Sequence, residues 1–81
     1  LQVIIKLFPP LEFLDGQKIR QYEIEYGTTI GALLGRVEGE RVFEKYGLES
    51  LLTMVDNRVV EKDYILKNGQ IIEILLYLCG G

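Results

Sequence analysis

The two most apolar stretches of this chain stand at its opposite ends, and that placement restricts the topology more than any other feature. Near the start, Val3-Ile4-Ile5-Lys6-Leu7-Phe8 is short, β-branched and almost unbroken in apolar character until Pro9-Pro10 stops it. Near the end, residues 71–78 form the most apolar run in the sequence. A strand wetted on one side alternates apolar and polar residues, so both runs read as strands buried on both faces. Full burial belongs to the middle of a sheet, which places the first and last strands side by side. They are expected to be parallel, because the chain must cross the sheet between them and a helix can cover the core face on the way.

The residues between supply the other elements. Asp15-Gly16 marks a turn. Residues 20–26 then alternate, with Tyr22, Ile24 and Tyr26 on one face and Gln21, Glu23 and Glu25 on a wet one, as an edge strand in a hairpin does. In Gly27-Thr28-Thr29 either threonine can cap a helix, whose apolar face is Ile30, Leu33, Leu34 and Val37. Gly31 and Gly35 each cost roughly 1 kcal/mol against alanine, so this helix needs a sheet to pack on. Residues 39–49 read as a polar loop with one helical turn around Phe43 and Tyr46, closed by Gly47. A third strand at 51–55, a tight turn at Asp56-Asn57-Arg58 and a short strand at Val59-Val60 follow. Tyr64-Ile65-Leu66 is expected to plug the core from a loop, and Asn68-Gly69 turns the chain into the last strand. The order β-β-α-β-β-β predicts an α+β domain with a mixed sheet of four to five strands, one main helix, and parallel first and last strands at the centre. That is the β-grasp, or ubiquitin-like, arrangement, expected over residues 1–78 with 79–81 as a flexible tail.

Inventory narrows the chemistry. The chain has 81 residues, no histidine and one cysteine, which excludes a histidine base, a Cys–His pair, a Cys/His zinc site and an internal disulfide. A chain of this size has little room for a deep catalytic pocket beside a core. The net charge of −3 comes from interspersed signs with no basic block, so nucleic acid is not an expected partner. No apolar run reaches the roughly 18 residues of a membrane span and no signal-peptide pattern opens the chain, so a cytoplasmic protein without a membrane partner is expected. Leu1 is no initiator, so a trimmed or altered start is expected. Glu38, Glu40 and Glu44 read as a solvated helix end rather than a cation cage, and Glu23 and Glu25 as solvated strand residues; no bound metal or cofactor is expected.

Attention therefore falls on Leu78-Cys79-Gly80-Gly81. These residues follow a buried strand with no further element to dock them, and are expected to project into solvent. Gly80 and Gly81 lack side chains, so they can thread a slot too narrow for any other dipeptide. The Gly81 carboxylate is unhindered for attack on the α-phosphate of ATP, and the acyl-adenylate so formed is open to sulfur or nitrogen nucleophiles. Catalysis then belongs to a partner that uses the ATP, in keeping with the missing histidine. At this glycine content a Gly-Gly end arises by chance in roughly 1% of chains. Cys79 is either a reactive tail thiol, able to form a mixed or acyl disulfide, or a small apolar residue. One helix covers only one sheet face. Phe8, Leu75 and Tyr77 are accordingly expected to form an exposed apolar docking patch beside the tail, unless residues 39–49 fold over them.

From end to end the chain resembles the sulfur-carrier family that includes the small subunit of molybdopterin synthase and the thiamine-pathway sulfur carrier (MoaD/ThiS). The resemblance runs through Lys6-Leu7-Phe8, Gly27-Thr28-Thr29-Ile30 with Leu33-Leu34, Val55-Asp56-Asn57-Arg58-Val59-Val60, Leu66-Lys67-Asn68-Gly69-Gln70-Ile71-Ile72 and the final Gly80-Gly81. It implies that a ubiquitin-activating-like adenylyltransferase adenylates Gly81. Sulfur from a cysteine desulfurase or persulfide protein then converts the carboxylate to a thiocarboxylate. In the molybdopterin branch, to which the long 39–49 region points, the sulfur goes to a pterin precursor on the synthase large subunit. Two other functions use the same features: a ubiquitin-like modifier joined to lysine through Gly81, and a non-covalent β-grasp binding module. An enzyme acting alone is not expected.

Overall fold

A computed structural model describes residues 1–39, 45–47 and 50–77. The elements are β1 (Gln2–Leu7), β2 (Ile19–Glu23), α1 (Ile30–Glu38), β3 (Leu51–Val55), β4 (Arg58–Val59) and β5 (Ile71–Leu76). All five strands join one sheet in the order β2-β1-β5-β3-β4. β1 and β5 run parallel at its centre, with Ile5 opposite Ile72 and Leu7 opposite Ile74, while the other three pairings are antiparallel. One helix on a mixed sheet with parallel terminal strands in the middle is the β-grasp arrangement.

Burial of the two central strands is one-sided, which corrects the expectation of two buried faces. Val3, Ile5, Leu7, Ile72 and Ile74 are at most 2% exposed. Their alternates Ile4, Lys6 and Phe8, and Ile71, Glu73 and Leu75, are half-buried or exposed. Among the described residues α1 lies on one side, and the apolar character of the other side does not serve the core they form.

Thr29 caps that helix, its Oγ1 accepting from the Ala32 N–H at 3.1 Å, whereas the Thr28 hydroxyl donates to the Glu25 carbonyl. Ile30, Leu33, Leu34 and Val37 are all buried, as their spacing predicts. The first-turn N–H groups of Ile30 and Gly31, which lack partners inside a helix, donate to the carbonyls of Tyr64 and Lys62, each at 2.9 Å. The Leu66 N–H returns a bond to the Thr28 carbonyl. This crossing explains Gly31: a Cβ there would stand 3.2 Å from the Lys62 carbonyl oxygen. It also limits the expected plug. Leu66 is buried, but Tyr64 is only half-buried and Ile65 is exposed, because the backbone here is bonding the helix entrance.

Two further differences have local causes. β2 ends at Glu23; Tyr22 and Ile24 stay in the core, but Tyr26 is 90% exposed. Gly27, at φ +84°, and the Thr28 N–H bond to the Glu25 carbonyl turn the chain before a third inward position is reached. The loop after β1 meanwhile supplies two core residues that its sequence did not advertise, Leu11 and Phe13, each 1% exposed. Phe13 is fixed between the Tyr22 ring, 6.5 Å away, and the Arg20 guanidinium, 4.3 Å over its face, and Arg20 in turn pairs with Asp15 at 2.8 Å. The Asp56-Asn57 turn has both residues at positive φ, 54° and 64°, the type I′ geometry that suits the twist of a two-residue hairpin; β4 accordingly starts at Arg58. Of the 39–49 loop, Tyr46 packs against the core, whereas Phe43 and the carboxylates of Glu40 and Glu44 lie outside the described residues.

Gly31 and Gly35 should respond differently to alanine. Nothing lies within 4 Å of a Cβ at Gly35. Gly35→Ala should stabilise by about 0.5–1 kcal/mol, raising Tm by several degrees. Gly31→Ala should forfeit that gain against the Lys62 carbonyl; equal stabilisation by both in thermal melts would contradict the crossing described. Phe13→Ala should cost about 3–5 kcal/mol in urea unfolding, as a core aromatic does.

Candidate functional site

The chain leaves the sheet at one end of β5, between its two neighbours. The Phe8 N–H donates to the Ile74 carbonyl at 3.1 Å on one side, and the Tyr77 N–H donates to the Ser50 carbonyl at 2.6 Å on the other. Tyr77 is thus held by the rigid sheet four residues before Gly81. Leu78, Cys79, Gly80 and Gly81 lie outside the described residues.

Phe8, Leu75 and Tyr77 occupy the sheet face opposite the helix, beside this point. Tyr77 is 55% exposed, and Phe8 and Leu75 are half-buried. Lys6 holds its Nζ 5.2 Å from the centre of the Phe8 ring, a cation–π contact on the same face. Strand register widens the apolar area beyond these three. Leu52 stands opposite Leu75, Met54 opposite Glu73 and Ile4 opposite Ile71, and all three added residues are half-buried. Ile71 and Ile19, on the same side, are 49% and 56% exposed. The period-two alternation of Leu52 and Met54 carried this information, but in a short apolar run it does not say which face is open.

Lys6 and Glu73 are the charged residues in the middle of this face, directly opposite each other on β1 and β5. Glu23, the last residue of β2, and Glu25, beyond the strand, are exposed, as solvated carboxylates should be. The side chain of Glu38, with Glu40 and Glu44, falls outside the described residues; among the described residues no cluster of three His, Cys, Asp or Glu could hold a metal. No helix among them is long and apolar enough to cross a membrane. The arrangement sets an apolar surface with two charges beside the point where β5 ends at Leu76.

Neither a protein-family model nor a curated protein matches the chain. Solved structures do. A protein assigned as molybdopterin converting factor subunit 1 of Pyrococcus furiosus superposes with a TM-score of 0.81 at 20% identity, over 96% of this chain and 99% of that one. SAMP1 of Haloferax volcanii gives 0.78 at 17% identity over the whole of both chains. The complex of subunits 1 and 2 of molybdopterin-converting factor from Helicobacter pylori gives 0.75 at 16% identity, with both matched chains fully covered. At such identities likeness speaks for architecture, and the chain has the ubiquitin-like β-grasp fold that these small subunits and ubiquitin-like proteins share.

Proposed function

We propose that this chain is a sulfur carrier of the MoaD/ThiS type, acting through the Gly81 carboxylate in the assembly of a molybdopterin cofactor. Support comes chiefly from where the chain leaves the sheet. Tyr77 is anchored at Ser50 beside an exposed apolar face, and Gly81 follows four residues later. Four extended residues reach at most about 14 Å. An enzyme that works on Gly81 must therefore lie against this end of the domain, where Phe8, Leu75 and Tyr77 form the docking surface.

The reaction needs no catalytic group from the chain itself. A Gly81 carboxylate oxygen attacks the α-phosphate of ATP on a ubiquitin-activating-like adenylyltransferase, and pyrophosphate leaves. The outer sulfur of a persulfide, supplied by a cysteine desulfurase or persulfide protein, attacks the acyl carbon and expels AMP, giving an acyl disulfide. A second thiol attacks the donor-side sulfur; a disulfide departs and the thiocarboxylate remains on Gly81. The likenesses to molybdopterin converting factor subunit 1, one of them in complex with subunit 2, favour a synthase large subunit as the recipient partner. The likeness to SAMP1, a small archaeal modifier protein, favours a second reading in which a lysine amine takes the acyl group as an isopeptide.

Intact mass after incubation with ATP, the adenylyltransferase of the same source and a persulfide donor separates them. Exchange of one oxygen for sulfur is expected, lost on deleting Gly81 while Tm stays unchanged, and retained in Cys79→Ser because the resolving thiol comes from the donor side. Lysine adducts would favour the modifier; an unchanged mass would remove both and leave a non-covalent binding module.

A further inference from the structure

We infer that the partner docking on the open sheet face presents a basic side chain to Glu73. The inference rests on that face being the docking surface proposed above. Glu73 sits at the middle of β5, flanked along the strand by Ile71 and Leu75 and across it by Lys6 and Met54. It is half-buried, and among the described residues its carboxylate makes no hydrogen bond or ion pair. The cation opposite it is committed elsewhere: the Lys6 ammonium lies over the Phe8 ring, toward the end where the chain leaves.

In the uncovered protein, water solvates this carboxylate. An apolar partner pressed onto Ile4, Leu52, Met54 and Leu75 would strip that water away, and a carboxylate desolvated without a counter-charge is costly to bury. A partner that covers the face therefore needs a cation at this point. There is space for one. A groove of about 440 Å³ opens beside Glu73 between the Asp56-Asn57 and Asn68-Gly69 turns. Asp56, on its rim, adds a second negative charge and is steadied by the Gln70 amide at 3.2 Å. Lys6, turned toward Phe8, is the cation in the lining, so the groove suits an extended basic side chain, and a guanidinium pairs with a carboxylate through two parallel bonds. The partner's footprint then has polarity: apolar over Phe8, Leu75 and Tyr77, cationic over Glu73 and the groove that runs from it past Ile71 and Gln70. That polarity orients the partner so that its slot meets the end bearing Gly81.

A random peptide library selected on the whole chain tests this directly, whatever the partner's identity. Binders are sorted by loss of binding to Phe8→Ala, which marks the open face, and then measured against Glu73→Gln and Glu73→Lys, with circular dichroism confirming each fold. Face-directed binders should carry arginine or lysine beside apolar residues, weaken at least tenfold on Glu73→Gln, and weaken further on Glu73→Lys. Face-directed binders without a basic residue, or indifferent to Glu73, would overturn the inference, as when Lys6 swings across to neutralise Glu73 instead. A library yielding no binder sensitive to Phe8→Ala would overturn it too. Either failure leaves the mass measurement on Gly81 standing, and failure of that measurement leaves this one.

Discussion

The parallel pairing of β1 with β5 is the constraint on which the rest of the structure depends. It joins the two ends of the sequence and so closes a loop of most of the chain, at a cost in entropy that burial offsets. Ile5, Leu7, Ile72 and Ile74 supply that burial, each at most 2% exposed. At about 1.5–3 kcal/mol per fully buried aliphatic side chain, these four contribute on the order of 6–12 kcal/mol as an upper estimate. Once the pair is made, β2 and β3 add to its outer edges, and α1 has a single place to lie.

The same pairing shapes the candidate site. A strand in the middle of the sheet is held on both sides, so the chain emerges from a fixed position instead of a fraying edge. Among the described residues α1 covers one face, and the outward residues of both central strands are half-buried or exposed. The apolar surface, the Lys6 and Glu73 charges and the departing chain thus follow from one arrangement. The chemistry proposed at Gly81 would draw no acid, base or metal from this domain and would fall to partners.

Much of this was legible in the sequence, for identifiable reasons. Helix α1 was plain because Ile30, Leu33, Leu34 and Val37 keep a strict helical period behind a threonine cap, and the strand order followed from where the apolar runs fall. Burial was harder to read. A continuous apolar run can mean two buried faces or one buried face and one open face, and Ile4, Phe8, Ile71 and Leu75 lie on an open one. Tyr26 misled because alternation continues in the letters after the backbone has turned at Gly27. Leu11 and Phe13 escaped because a loop residue can enter the core with no periodic signal; their burial reveals it, and for Phe13 the Arg20 and Tyr22 contacts explain it. That Glu73 has no ion pair among the described residues was also invisible, since strand register sets it opposite Lys6, whose ammonium lies over Phe8 instead.

The most direct measurement is the chemical state of Gly81 in the protein taken from its native source. Treated with an electron-poor sulfonyl azide, a thiocarboxylate is converted to an N-acyl sulfonamide, whereas a carboxylate is inert. Sulfur-carrier function predicts that a fraction of the endogenous chain carries this label on Gly81, revealed by sequencing its C-terminal peptide. Gly81 found only as a free carboxylate, or only in amide linkage to lysine, would contradict it.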